Sequence, residues 1–498
     1  MKNSNMKIIN ITPEIAIENS NNYAGGLGIL EGDKFYELAK IGVDYNVFSI
    51  LYKNGYVSYE FDLNGNPQPM PQSQPKEFLE RLKKDLEFDI RIANEDIRVV
   101  AWKFSINKAN VIFFETNSNK WNFLNNRVYI ENSTEERFYK YVFLAKAIKE
   151  YIEKNMEIDK IKYIDMQEAY AAILPLIFRF NNYRFVIHTP GKWGHPDFPK
   201  ALFKKEFDLD FLNDVVVLTE IGNGAAKKIF CVSRKHFEIV SKMFPHFIDK
   251  IDYVTNGINL DRWVDNEIRS HYEKNDLSID KFLKIKERLK NNLENFISNF
   301  KNIDIKDKFI VAWARRIVEY KRPDFILRFI KRNRDLNIIY IIAGKTHPYD
   351  TYGLKMMKEF YRISQEKKNV IFIPEYNPEI AKLITQSVDI FLFTPTPGLE
   401  ASGTSFMKAC ANGTLVLTSF DGAVPEIVEN NKNSWIFGDE KNSSYELFEA
   451  KLKEIYKFFF EKREEYNKMC LNAIFSSLPK VDIKNALKKY YPEIFTEQ

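Results

Sequence analysis

Short runs rich in Ile, Val and Phe alternate with longer amphipathic segments over nearly the whole of this 498-residue chain. In the N-terminal half the apolar runs fall at 7–11, 44–51, 97–104, 110–115, 163–166, 184–188, 214–218 and 228–232. Between many of them lie helical patterns, such as 136–154. The C-terminal half repeats this with cleaner runs at 308–313, 337–343, 369–374, 388–393 and 414–418. Buried strands alternating with helices predict an α/β fold built on parallel, doubly wound sheets. A single core rarely extends beyond roughly 250–300 residues, so two such domains are expected. The spans are 1–258 for an N-terminal Rossmann-like domain, 259–480 for a C-terminal one, and 481–498 for a terminal helix packing back on the first. Residues 264–306, charged and helix-prone, are expected to follow the crossing from one domain to the other. Charge-interspersed runs such as Glu80-Arg81-Leu82-Lys83-Lys84-Asp85 read as the solvated face of a helix. Two parallel α/β domains facing each other create one cleft, and ligands of such sheets sit beyond the carboxyl ends of the strands. Chemistry is therefore sought in loops that follow strands.

Composition narrows the classes. A net charge of +5 spread over this length does not mark a nucleic-acid partner. No run approaches the ~20 apolar residues of a membrane helix, and no signal peptide is visible after Met1. Cys231, Cys410 and Cys470 have no paired spacing, which argues against a disulfide framework or structural zinc and fits a cytoplasmic protein. Six scattered histidines suggest no metal site. The high aromatic content, 15%, reads mainly as core filling, with sugar subsites as the other use of such rings.

Three segments carry chemistry. Tyr23-Ala24-Gly25-Gly26-Leu27-Gly28 has three glycines in four residues, which serve a tight turn or a phosphate cradle equally well. Arg315-Arg316-Ile317-Val318-Glu319-Tyr320-Lys321-Arg322 follows a strand and places four cations in eight residues. Such a cluster requires anions, either carboxylates or phosphates. Glu400-Ala401-Ser402-Gly403-Thr404-Ser405-Phe406-Met407-Lys408 has small residues that expose successive N–H groups, with Lys408 one turn into a helix. An ammonium there is disfavoured near the positive end of a helix, which suits an imine, while a solvated lysine on a helix face is the alternative.

Together these segments resemble the glycogen and maltodextrin phosphorylase family, most closely its short, non-allosteric prokaryotic branch. The stretch Glu400–Lys408 with Asn412-Gly413 resembles the family's cofactor signature, and Arg316–Arg322 its R-I-x-E-Y-K-R phosphate-binding stretch. Gly25–Gly28 matches G-G-L-G, with Glu14 where the family has a glutamate before that loop. Thr255-Asn256-Gly257-Ile258 with Arg262-Trp263 is similar to T-N-G-I…R-W, and Ala343-Gly344-Lys345 to A-G-K. The matches run in family order from about residue 8 to residue 430. Six collinear motifs are specific where each alone is weak.

The resemblance implies a GT-B fold, two Rossmann-like domains facing a cleft. It also implies phosphorolysis of terminal glucosyl units of α-1,4-glucans by inorganic phosphate, giving glucose 1-phosphate with retention. Pyridoxal 5'-phosphate is implied at Lys408, its phosphate held by the backbone at Thr404 and Ser405 and by Arg315, with Tyr376 nearby. Arg316 and Lys321 are implied to clamp inorganic phosphate, Gly26 donating an N–H beside Gly25, Leu27 and Gly28. Glu400, Asn256 and the main chain of Ala401, Ser402 and Gly403 are implied to hold sugar hydroxyls. His188 resembles the histidine whose carbonyl faces the reacting sugar; read alone it is a polar strand-end residue. No carboxylate pair is needed, in contrast to glycoside hydrolases. Relatives often form homodimers, although no apolar patch is legible here.

The chain departs from the family at Tyr170, in place of a histidine; at Cys231, in place of glycine; at Asn377, in place of an arginine; and at Val318, in place of a histidine. These departures touch acceptor-glucan geometry more than the cofactor lysine or phosphate clamp. Two rival readings remain. A nucleotide-sugar-dependent glucosyltransferase, resembling glycogen synthase, shares the fold but has no use for a cofactor lysine. A non-catalytic glucan-binding protein accommodates the departures but does not account for the retained cations.

Overall fold

The computed structural model of the protein describes residues 6–495. The chain divides into two compact units, one comprising Met1–Tyr56, Pro71–Thr255 and Leu487–Gln498, the other Val57–Met70 and Asn256–Ala486.

The first unit is built on a nine-stranded sheet. Its spatial order is Ile251–Tyr253, Lys228–Cys231, Tyr183–Val186, Ile161–Gln167, Lys7–Ile11, Asp44–Ile50, Ala109–Thr116, Glu95–Ile106 and Lys83–Ile92. The first seven run parallel, and the last two add an antiparallel edge. This mixed edge departs from the all-parallel sheet expected. Ala93 and Asn94 connect its two strands with φ of 49° and 65°, the left-handed pair that a tight hairpin demands. The run Glu80–Asp85 is likewise not one helical face. A short helix, Lys76–Glu80, ends there, and the strand Lys83–Ile92 begins, burying Phe88, Ile90 and Ile92 at period two. Residues 214–218 contribute Val215–Val217, which pairs with Asp197–Pro199 outside the main sheet.

The second unit carries a six-stranded parallel sheet in the order Val370–Ile373, Ile338–Ala343, Phe309–Ala314, Ile390–Phe393, Leu415–Thr418, Trp435–Ile436. Numbered along the chain this is 3-2-1-4-5-6, the doubly wound dinucleotide-fold order. In the first unit the parallel strands follow the same rule, with reversal between Lys7–Ile11 and Ile161–Gln167.

One segment falls differently from the sequence reading. The hairpin Ser58–Phe61 with Pro67–Met70 belongs to the second unit. There Tyr59 donates to the Thr346 carbonyl and Phe61 stacks on Tyr361 at 4.2 Å; partners some 300 positions away leave no local signal. Residues 264–306 lie in the second unit. Their main helix, Ile279–Ile297, buries Phe282, Ile285, Leu289, Leu293 and Ile297 in the second unit, a stripe at helical spacing. At the C-terminus Tyr491 is fully buried in the first unit, donating to Asp165 at 2.5 Å. Asp165 also pairs with both Nε and Nη2 of Arg184, at 2.6 and 2.7 Å. No helix among the described residues is long and apolar enough to cross a membrane.

Candidate functional site

In a doubly wound sheet the loops part where the strand order reverses, and that opening binds ligands. In the second unit the reversal lies between Phe309–Ala314 and Ile390–Phe393. Arg315 is the first residue after one of these strands, and Glu400 stands seven residues after the other. Their side chains meet: Arg315 Nη2 donates to Glu400 Oε2 at 2.7 Å, with Lys321 Nζ 3.8 Å from the same oxygen. A carboxylate thus supplies part of what the cation cluster needs. It does not supply all, since Arg315 Nε and Nη1, both buried, have no hydrogen-bond partner among the described residues. Its guanidinium lies over the Phe393 ring at 4.1 Å. Buried donors without acceptors are costly and uncommon, and a tetrahedral oxyanion satisfies them.

The electrostatics agree. Burial, with Arg315 beside it, pushes the Lys321 ammonium down to about 7, against the pull of Glu400. Burial alone raises the Glu400 carboxyl, but Arg315 and Lys321 outweigh it and hold it below its ordinary value. Arg316 is half-buried and adds to the same positive field. Tyr376 donates to the Ala314 carbonyl at 3.1 Å; burial raises its phenol and Arg315 opposes this. Arg322 is different: its guanidinium is tied to the carbonyls of Thr394, Pro395 and Ser443, a structural clasp.

The Glu400 turn is held from beneath. Asp421 Oδ2 accepts from Leu399 N at 3.2 Å and Glu400 N at 2.8 Å, and burial lifts this carboxyl to about 6. Sequence reasoning missed Asp421; its signal was an Asp-Gly pair just after an apolar run. Gly403 has φ of 76°, and a Cβ there would collide with Phe393, so packing alone requires glycine. Ala401 and Ser402 are buried. Thr404 caps the helix Ser405–Ala411 without a side-chain bond.

Lys408, 5% exposed, lies in that helix with its ammonium 3.4 Å from the Trp263 ring centroid. The solvated-lysine reading therefore falls. Asn412 ties the two together, donating to the carbonyls of Trp263 at 3.1 Å and Lys408 at 2.8 Å. Asn256 is buried where the second unit's main segment begins; beside it Gly257 packs so closely that a Cβ would lie 2.7 Å from the Val481 carbonyl. Trp263 and Asn412 stood within recognised motifs, but their mutual contact was not legible. Asn377 has a local task, capping the helix Pro378–Ser387 by accepting from Ile380 N at 2.9 Å.

In the first unit the glycine loop follows Lys7–Ile11 at that sheet's own reversal. Glu14 Oε2 accepts from the N–H groups of Ala24 and Gly25, the latter at 3.0 Å. A Cβ at Gly28 would sit 2.5 Å from Tyr23 Cβ and 2.8 Å from Glu14 Oε2, so this glycine is structural. Gly25 and Gly26 have nothing within 4 Å of a built Cβ. The fold does not require their small size, which leaves backbone open to a ligand; Leu27 between them and Gly28 is half-buried. His188 follows Tyr183–Val186, half-buried, its Nε2 2.8 Å from Gln167 Oε1 and its backbone N–H on Glu168 Oε1 at 3.2 Å. Glu168 has φ of 64° and ψ of 164°, a region that glycine alone favours. Burial lifts its carboxyl to about 7, and its Oε2 has no partner among the described residues. Tyr170, the departure from the family's histidine, stacks on Tyr141 at 4.0 Å. The three cysteines are free and buried.

Two doubly wound units, with a buried cation–carboxylate cluster and a buried lysine at the second unit's switch point, define an α/β class whose strand-end loops bind ligands. Residues 252–497 match the carbohydrate phosphorylase family model. The chain is 25% identical to a glycogen phosphorylase of Aquifex aeolicus, over 96% of this chain and 84% of that protein. It is 26% identical to a maltodextrin phosphorylase of Thermococcus litoralis, over 95% and 68%. It is also 28% identical to an uncharacterized protein of Methanocaldococcus jannaschii, over 80% and 82%. The second half of the chain thus carries the carbohydrate phosphorylase match, and similarity to glycogen and maltodextrin phosphorylases extends over nearly the whole chain.

Proposed function

We propose that this protein is an α-1,4-glucan phosphorylase that transfers terminal glucosyl units of glycogen or maltodextrin to inorganic phosphate, releasing α-D-glucose 1-phosphate. The observation that carries this reading is Arg315, buried beside Glu400 and Lys321 with two donors unmatched. Unmatched cationic donors beside a carboxylate support a phosphate held next to a sugar hydroxyl.

Members of this family generally depend on pyridoxal phosphate, and the residues fit that group. Lys408 is buried beneath the flat Trp263 indole, and Arg315 offers Nε and Nη1 to a phosphate. We assign Lys408 as the lysine that carries it, with Arg315, Tyr376 and the backbone at Thr404 and Ser405 around it. Held there by Lys408 and Arg315, the cofactor would supply a phosphate group able to exchange a proton with the substrate phosphate. Arg316 and Lys321 hold inorganic phosphate, and their charge offsets the repulsion between two phosphates. Gly26 donates an N–H, Gly25, Leu27 and Gly28 shaping the loop around it. Glu400, Asn256 and the main chain of Ala401, Ser402 and Gly403 hold glucosyl hydroxyls, Asp421 keeping the turn in place. The His188 carbonyl stabilises positive charge developing at the sugar. The bond from C1 to the leaving O4 breaks as a phosphate oxygen bonds C1 on the same face, and O4 leaves with a proton from phosphate. We assign the glycine loop and His188 to the first unit, and the cofactor lysine, the phosphate clamp and the hydroxyl-binding turn to the second, in a cytoplasmic enzyme.

The test is glucose 1-phosphate release from maltodextrin with and without inorganic phosphate, in the parent and in Lys408→Ala. Phosphate-dependent release that vanishes in the variant, together with loss of bound-cofactor absorbance, supports the proposal. A parent that carries the cofactor yet releases nothing from any α-1,4-glucan refutes it. Turnover that instead requires a sugar nucleotide identifies the glucosyltransferase reading.

A further inference from the structure

A line of buried polar side chains crosses the first unit's sheet and ends on His188. Lys34 Nζ lies 2.9 Å from Glu31 Oε1 and 3.2 Å from Oε2. Glu31 Oε2 accepts from Asn10 Nδ2 at 2.6 Å. Asn10 Oδ1 accepts from Gln167 Nε2 at 2.7 Å, and Gln167 Oε1 lies 2.8 Å from His188 Nε2. Glu31, Asn10 and Gln167 have no solvent exposure and Lys34 has 3%, so water does not substitute for a lost partner. Asn10 and Gln167 stand on the neighbouring strands Lys7–Ile11 and Ile161–Gln167, where this sheet's order reverses; Gln167 lies two residues beyond Asp165, the register partner of Asn10.

The direction of every bond in this line follows from its far end. An ionised carboxylate only accepts. Paired with the Lys34 ammonium, Glu31 obliges Asn10 to turn its NH2 toward it and its oxygen toward Gln167. Gln167 must then give its NH2 to Asn10 and present its oxygen to His188. A ring nitrogen facing a carbonyl oxygen must carry the proton. The other ring nitrogen of a neutral imidazole is then left as an acceptor.

We propose that the Glu31–Asn10–Gln167 relay is a positioning device that locks neutral His188 in its Nε2–H tautomer and presents Nδ1 as a hydrogen-bond acceptor toward a ligand hydroxyl. The nature of that ligand rests on the phosphorylase reading, whereas the lock itself does not. Burial, with Lys34 and His236 adding to it, pushes the imidazole well below its ordinary pKa, so the ring stays neutral through the working range. The locked ring distinguishes a hydroxyl that donates from one that only accepts, a distinction that a freely exchanging imidazole does not make.

The experiment reads the tautomer directly, by long-range 1H–15N correlation of the full chain labelled with 15N-histidine, with the His188 signals assigned by their loss in His188→Gln. The parent shows one protonated nitrogen, Nε2. In Glu31→Gln the new amide turns its oxygen to Lys34 and its NH2 to Asn10, each later amide reverses, and the His188 proton moves to Nδ1. In Glu31→Gln/Asn10→Asp an acceptor-only group again faces Gln167, and Nε2–H returns. These variants are nearly isosteric, and the double variant keeps the parent's charge count, so a lost fold is told apart by circular dichroism. A parent carrying Nδ1–H, or a tautomer unmoved by Glu31→Gln in folded protein, overturns the proposal. If neither single nor double variant folds, the parent spectrum still decides, because anything other than a single Nε2–H form refutes the lock. Absence of phosphorolysis in a parent showing the locked tautomer refutes the function proposed above and leaves the relay standing.

Discussion

Removing the Glu400 carboxylate tests the cation cluster most directly. In Glu400→Ala, Arg315 loses the acceptor at 2.7 Å and Lys321 its counterion at 3.8 Å. Arg315 then remains buried, with its Nε and Nη1 already without partners among the described residues. Breaking a buried pair by deleting one member costs about 3–5 kcal/mol, because the remaining charge is uncompensated. For a unit of this size each kcal/mol shifts the melting temperature by about 2–4 °C, so a fall of roughly 6–20 °C is expected. Inorganic phosphate offers oxygens to the unmatched donors, and at a hundred times its dissociation constant it returns about 2.7 kcal/mol. The assay is thermal unfolding of parent and variant across a phosphate titration. The variant is expected to melt far below the parent without phosphate and to recover more of the difference than the parent gains. Melting within 1–2 °C of the parent (about the shift from half a kcal/mol), or equal phosphate shifts in both, refutes the view that Arg315 depends on an anion.

Other outcomes follow from the same geometry. Because Lys321 titrates at about 7, it is charged below that value and neutral above it. Phosphate affinity is thus expected to weaken about tenfold per pH unit above 8, measured by calorimetric titration, and Lys321→Arg is expected to flatten this profile. Gly28→Ala is expected to cost about 1–3 kcal/mol through the contacts with Tyr23 and Glu14, read by urea unfolding. Gly26→Ala leaves stability nearly unchanged yet raises KM for phosphate. Arg184→Met strips Asp165 of its bidentate partner and is expected to destabilise by about 3–5 kcal/mol, visible as a lower denaturation midpoint.

Much of this protein was legible in one dimension. The strands of the six-stranded sheet were readable because they are buried on both faces, which leaves compact Ile, Val and Phe runs bounded by polar turns. The chemistry-bearing loops were readable because strand ends are where such sheets bind ligands, and Arg315, Glu400 and the glycine loop all fall there. The hairpin at 58–70 was not, because its anchors, Thr346, Tyr361 and Glu375, are remote in sequence. The helix Ile279–Ile297 was legible as a charged, helix-prone stretch but its packing was not, because its charged face dominates its composition while the buried stripe is one residue in three or four.

By itself the sequence determined the class: periodicity sets which segments bury which faces, and motif order sets which chemistry the loops carry. Only the tertiary structure decided how those loops are used. It separated Arg322, clasped by carbonyls, from Arg315, left with unmatched buried donors. It separated Gly28 and Gly403, required by packing, from Gly25 and Gly26, which the fold leaves open. It also drew Glu31, Asn10, Gln167 and His188 into one directed line. Hydrogen-bond direction and burial are properties of groups brought together across a sheet, and spacing along a chain does not encode them.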